Sequence, residues 1–168
     1  MATLGYILTV SVIFLGDLYI KNRTEQKKDF PQPESLSPEN SPCGKDSTQK
    51  PFWRKYILLR KYHNTGAMLN LGARQSRRVA ALSVLLCIVM TCAFVLSLGH
   101  RGNLTLRTGL SLLLGGSFSN TYDRLKRKYV VDYFSFNVKW KPLRRIVFNL
   151  SDFCIIVGAL LTALGAAW

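Results

Sequence analysis

The stretch SNTYDRLKRKYVVDYFSFNVKWKPLRRIVFNLSD, which ends at Asp152, carries three carboxylates between two segments apolar enough to span a bilayer. They are Asp123, Asp132 and Asp152. A charged side chain at mid-membrane costs about 2.5–3.5 kcal/mol, and packing alone does not offset several such groups at one boundary. Asp132 lies in the apolar-aromatic run YVVDYF with no basic residue close in sequence. Desolvation there makes a carboxyl hold its proton more tightly. Asp152 has similar surroundings at the start of the next apolar run. Two carboxylates in close contact cannot both ionise easily, so they share one proton and offer a base and an acid together. Such a pair can activate water against a peptide carbonyl and protonate the leaving nitrogen with no covalent intermediate. Spacing alone leaves a second reading open, a proton or cation relay of the kind transporters use. Asp123, beside Arg124, reads as a self-neutralised ion pair at a helix end.

The elements that must position these groups are mostly apolar. Residues 2–20 form a first run that lacks the charged start and cleavage site of a signal peptide. It reads as a retained transmembrane helix. Asp17 and Lys21 close it at i,i+4 spacing, either as a snorkelling pair or as support for a site. Residues 22–51 hold five of the six prolines and few large apolar side chains. They read as a flexible insertion in a single domain covering 1–168. FWRKYILLRKYH, 52–63, suits a short interfacial strand or a helix equally well, and Asn64-Thr65-Gly66 reads as a turn.

Val79–Gly99 contains no charged residue and is the clearest span. A third is expected at about Leu104–Tyr122, with Ser111, Gly115 and Ser119 forming a stripe of small residues for close helix approach. There, Asn120, Asp123 and Arg124 share a helix face. The fourth is expected at Ile146–Trp168, with Asn149, Asp152, Ile156, Ala159 and Ala163 on one inward face. On that helix Asp152 would lie about 10 Å past Arg145, near the membrane surface. The expected fold is therefore an all-α polytopic membrane protein of four transmembrane helices. It carries a small interfacial subdomain with a β option at 52–63.

The composition agrees with a membrane protein: 48% hydrophobic residues coexist with a net charge of +14. The apolar residues lie in blocks with the charges between them. The basic connections are expected against anionic lipid headgroups. A nucleic-acid partner is not expected, because no binding fold surrounds the basic residues. Cys43, Cys87, Cys92 and Cys154 form no CxxC pair and only two histidines are present, so no metal is expected. The loops at 21–78 and 124–145 hold 13 and 8 basic residues against 2 at 100–107, which by the positive-inside rule places both large loops in the cytoplasm.

The chain resembles lipoprotein signal peptidase (signal peptidase II), the membrane aspartic protease of bacteria. The likeness covers all four apolar runs in order, apart from the proline-rich insertion. The DxxxK motif appears as Asp17-Leu-Tyr-Ile-Lys21 and NTGAAF as Asn64-Thr-Gly-Ala-Met-Leu69. GNxxDR appears as Ser119-Asn-Thr-Tyr-Asp-Arg124, VVDF as Val130-Val-Asp-Tyr133, and FNxAD as Phe148-Asn-Leu-Ser-Asp152.

The resemblance implies that Asp132 and Asp152 are the catalytic dyad. It also implies that Asn64, Asn120, Arg124 and Asn149 position substrate and dyad, with Asp17, Lys21 and Asp123 in support. The implied substrate is a prolipoprotein carrying diacylglycerol on its lipobox cysteine, cut just before that cysteine. No cofactor is implied, and the expected partners are the lipidated precursor and membrane lipids around a monomer in the bacterial cytoplasmic membrane. A binding-only paralogue is the alternative within the family. The resemblance puts the large loops outside the cytoplasm, against the charge rule. Ser119 for Gly and Met68-Leu69 for AF are expected to reshape the substrate's surroundings, and Ser151 replaces Ala.

Overall fold

The computed structural model describes residues 2–27, 56–66, 75–99 and 103–167. Most of the 22–51 insertion, Cys43, Trp53 and Met68-Leu69 lie outside them. The elements in chain order are α1 (Ala2–Gln26), β1 (Ile57–Asn64), α2 (Ser76–Gly99), α3 (Leu104–Lys126), β2 (Val130–Phe136), α4 (Lys141–Arg145) and α5 (Leu150–Ala166). Among the described residues two helices, over Thr3–Gln26 and Ser76–Gly99, are long and apolar enough to cross a membrane, and α5 is a shorter apolar helix of 17 residues.

The centre of the bundle is α3, which packs against α1, α2 and α5. This position explains its sequence: small and polar residues line a helix that protein, rather than lipid, surrounds. A Cβ added to Gly109 or Gly116 would come within 2.5 Å of the α5 backbone, and one on Gly158 or Gly165 within 2.5 Å of the α3 backbone. Gly115 faces the other way, onto Ile13 of α1. On the α2 side, Phe94, Leu110 and Leu114 form an apolar core.

Three expectations need correction. Ile156, Ala159 and Ala163 are exposed, and α5 instead buries Ser151, Gly158 and Gly165. Glycine wins that face because the two backbones approach too closely for alanine. The helix starts at Leu150, not Ile146. The residues before it are extended, with Phe148 bridging to Phe134, so the distance of Asp152 from Arg145 is not a helical rise. Finally, α1 runs through Gln26, so 22–26 are its last turn rather than part of a flexible stretch. Glu25 in that turn pairs with Lys61 at 2.9 Å and His63 at 2.7 Å, tying α1 to β1.

The strand option at 52–63 is the one realised, over Ile57–Asn64. β1 and β2 pair antiparallel, with Leu59 opposite Phe134 and Tyr62 opposite Asp132. The two β1 residues between them therefore oppose Tyr133 alone, a bulge of the kind that re-aims side chains. Phe134, Phe136, Phe148 and Phe153 interlock, with Phe134 and Phe153 stacked at 5.5 Å between ring centroids. This aromatic cluster fixes β2 over the start of α5. Lys128, at φ 71°, supplies the sharp reversal between α3 and β2.

Candidate active site

Asp132 comes from the middle of β2 and Asp152 from the first turn of α5. Both line one cavity of about 260 Å³, together with Asn64, Asn120 and Arg124 and an apolar wall that includes Leu86, Ile155 and Ile156. Asn149 joins the two acids. Its side-chain amide donates to Asp132 Oδ1 at 2.6 Å, and its backbone N–H donates to Asp152 Oδ2 at 3.0 Å. The second bond is half of a capping box, since Asp152 N–H donates back to Asn149 Oδ1 at 3.0 Å. Asn149 is thus the N-cap of α5 and not part of its face, a placement made by the extended chain before Leu150.

Each remaining carboxylate oxygen has its own amide. Asn64 Nδ2 donates to Asp132 Oδ2 at 3.3 Å, and Asn120 Nδ2 donates to Asp152 Oδ1 at 3.0 Å. Asn64 is itself held in a turn, accepting from Gly66 N–H at 3.1 Å. Burial, then the nearby charge of Asp152, pushes the Asp132 carboxyl up to about 7. Asp132 is therefore poised to hold or release a proton around neutral pH.

Behind this pair lies a second, buried layer. Lys21 is fully buried and reaches Asp17 Oδ2 at 2.8 Å, Asp123 Oδ2 at 3.2 Å, Ser119 Oγ at 3.0 Å and Asn120 Oδ1 at 2.8 Å. Asp17 and Lys21 are both fully buried, so neither side chain snorkels, and Lys21 joins the pair to Asn120. Asp123 does not pair with Arg124. Its cations are Lys21 and Arg127, the latter at 3.3 Å. The neighbouring Arg124 turns toward the cavity, donating to Gly66 O at 3.0 Å and to Asn120 O at 3.3 Å. Adjacent residues on a helix point about 100° apart, so the sequence neighbours go to different partners.

All nine residues singled out in the sequence thus belong to one connected cluster. Three residues not expected in this network join it: Ser119, Ser151 and Tyr133 each bond to Asp17. Ser119 is fully buried and does not line the cavity, so its hydroxyl faces the Asp17 network instead. The available signal was that all three interrupt a motif with a hydroxyl.

The family profile described as Signal peptidase (SPase) II matches residues 9–168. The lipoprotein signal peptidase of Clostridium acetobutylicum is 32% identical over 118 residues, covering 68% of this chain and 72% of that protein. The Moorella thermoacetica lipoprotein signal peptidase is 32% identical over 111 residues, covering 66% and 69%. A bacterial membrane enzyme solved by the in meso method superimposes with a TM-score of 0.70 over 97% of this chain and 87% of its own. At 18% identity that likeness establishes a shared fold. The protein is a membrane protein, and it belongs to the signal peptidase II family.

Proposed function

We propose that the chain is a membrane aspartic endopeptidase that removes the signal peptide from diacylglyceryl-modified prolipoproteins, cutting just before the lipobox cysteine. The observation that carries the reading is the bridge made by Asn149, which bonds one carboxylate through its side chain and the other through its backbone. A relay has no need of amides clamping both acids around an apolar-walled cavity.

In the proposed reaction Asp152 takes a proton from a water molecule as its oxygen attacks the scissile carbonyl carbon. Asp132 gives its proton to the carbonyl oxygen, forming a neutral gem-diol. Collapse of the diol expels the amine, which is protonated by Asp152, while Asp132 recovers its proton from a diol hydroxyl. The products are a signal peptide ending in a carboxylate and a lipoprotein with a free N-terminal amine. Preorganised amides keep both acids in place without reorganisation at the moment of attack. The basic side chain of Arg124, within electrostatic reach of both aspartates, completes the cavity as a positioning group.

The site lies where β2 meets the start of α5, beside apolar side chains of α2 and α5 that continue the cavity. This suits a precursor whose lipid chains and signal helix remain in the bilayer while its peptide bond enters from the edge. We assign α1, α2, α3 and α5 as four spans of a single domain in the bacterial cytoplasmic membrane. The sheet and dyad then lie on the outer side and both termini inside, and a monomer holds the complete site. Reconstitution with a diacylglyceryl precursor peptide, followed by mass analysis, tests the reading. Cleavage before the lipidated cysteine supports it, and intact peptide under all conditions rejects it.

A further inference from the structure

Asp17 is fully buried in α1 and accepts four hydrogen bonds. One donor is Lys21 and the other three are hydroxyls from three different elements. Ser119 of α3 donates to Oδ2 at 2.6 Å, Ser151 of α5 to Oδ2 at 2.5 Å, and Tyr133 of β2 to Oδ1 at 2.9 Å. The motifs that these positions otherwise resemble have glycine, alanine and phenylalanine there, none of which can donate. Each hydroxyl is also the sequence neighbour of a group in the acid pair's network: Ser119 of Asn120, Tyr133 of Asp132, and Ser151 of Asp152.

We propose that the Tyr133 hydroxyl, assisted by Ser119 and Ser151, is a positioning device that locks the start of α5 to Asp17 and so sets the separation of Asp132 and Asp152. This rests on the reading of those two residues as the working pair. Tyr133 Oη donates to Asp17 and accepts the Leu150 backbone N–H at 2.9 Å. That N–H is one of the helix-terminal amides with no partner inside the helix. Satisfying it from β2 pins a residue two positions before Asp152, while the Tyr133 backbone adjoins Asp132. Burial, then the Asp17 charge, holds the phenol far above its ordinary range, so it remains a donor at any working pH.

Ser119 closes the other arm, because it accepts from Lys21 while Lys21 also holds Asn120. All three hydroxyls therefore restrain the same quantity, the spacing of the acids. A misplacement of about 1 Å in a reacting constellation can cost about 100-fold in rate.

The test uses the full chain in proteoliposomes and the variant Tyr133→Phe, which keeps the ring and deletes the hydroxyl. The expected result is a fall in kcat of about tenfold or more with KM within about twofold. The alkaline limb of the kcat profile moves as well. The groups facing Asp132 are Asp152, Arg124 and Lys21, and a change in the spacing of the acids alters the charge Asp132 meets. Ser119→Ala and Ser151→Ala are expected to lose about threefold each by the same logic.

An unchanged kcat and pH profile in Tyr133→Phe, even with a lowered melting temperature, would assign the hydroxyls to folding alone and overturn the proposal. If Tyr133→Phe does not accumulate, the two serine variants decide by the same criteria. Should the wild-type protein leave the precursor whole, the cleavage reading fails separately. The carboxyl titration of Asp132, followed by carbon NMR in micelles, then decides the positioning role: a midpoint displaced in Tyr133→Phe supports it, and a coincident one overturns it.

Discussion

Lys21 Nζ lies 2.8 Å from the side-chain oxygen of Asn120, so Asn120 turns its amide nitrogen toward Asp152. The lysine thus decides which end of an otherwise ambiguous amide faces Asp152. Asn120→Asp replaces that donor with an acceptor beside a carboxylate. Activity on a lipidated precursor is expected to fall at least about 100-fold, the scale for losing a preorganised donor. A purified Asn120→Asp protein that cleaves at the wild-type rate would contradict this role.

Lys21→Met removes the cation that Asp17 and Asp123 share. Breaking a buried ion pair from one side destabilises by about 3–5 kcal/mol. The variant is expected to melt well below the wild type in detergent and to accumulate poorly in membranes.

Asn149 performs two tasks that mutation can separate. Serine caps a helix about as well as asparagine, but it cannot reach Asp132 with an amide. Asn149→Ser is expected to retain stability within about 0.5 kcal/mol while kcat falls at least about tenfold. Asn149→Ala loses the cap as well, with a further cost of about 1 kcal/mol. Thermal melts and rates on the same preparations separate the two effects.

Asp132 is held up to about 7 by burial and by the charge of Asp152. Above that pH it loses the proton that the proposed reaction requires, so kcat is expected to fall about tenfold per pH unit on the alkaline side. The stability consequence has a definite sign. The folded state binds this proton more tightly than the unfolded chain, whose carboxyl titrates at 3.8. The contribution is therefore full at low pH and is lost as pH rises from about 4 through about 7. Asp132→Asn should flatten the pH dependence of the melting temperature across that window.

The charge rule and the family arrangement predict opposite orientations for the large loops. Single cysteines placed at Gln49 and His100, in a background lacking the native thiols, report which loop faces out. Labelling of intact cells at position 49 alone is expected, and labelling at position 100 alone would reject the proposed topology.

Much of this site was legible in the chain because membrane burial makes polar residues conspicuous. Asp17, Lys21, Asn64, Asn120, Asp123, Arg124, Asp132, Asn149 and Asp152 each stand in or beside apolar runs where an uncompensated charge or amide is costly, and all nine meet. The short motifs carried their identity, and the apolar runs foretold α2 and the starts of α1 and α3 closely. Which partner each residue takes was another matter. The pairing of Asp123 with Lys21 and Arg127, the extended approach that makes Asn149 a cap, and the glycine face of α5 depend on how backbones approach across the bundle. Periodicity describes one helix at a time and carries no information about its neighbour's distance. The hydroxyls of Ser119, Ser151 and Tyr133 show this best. Scattered along the chain they are unremarkable small changes, and only the packing of α1, α3, β2 and α5 brings them to a single carboxylate.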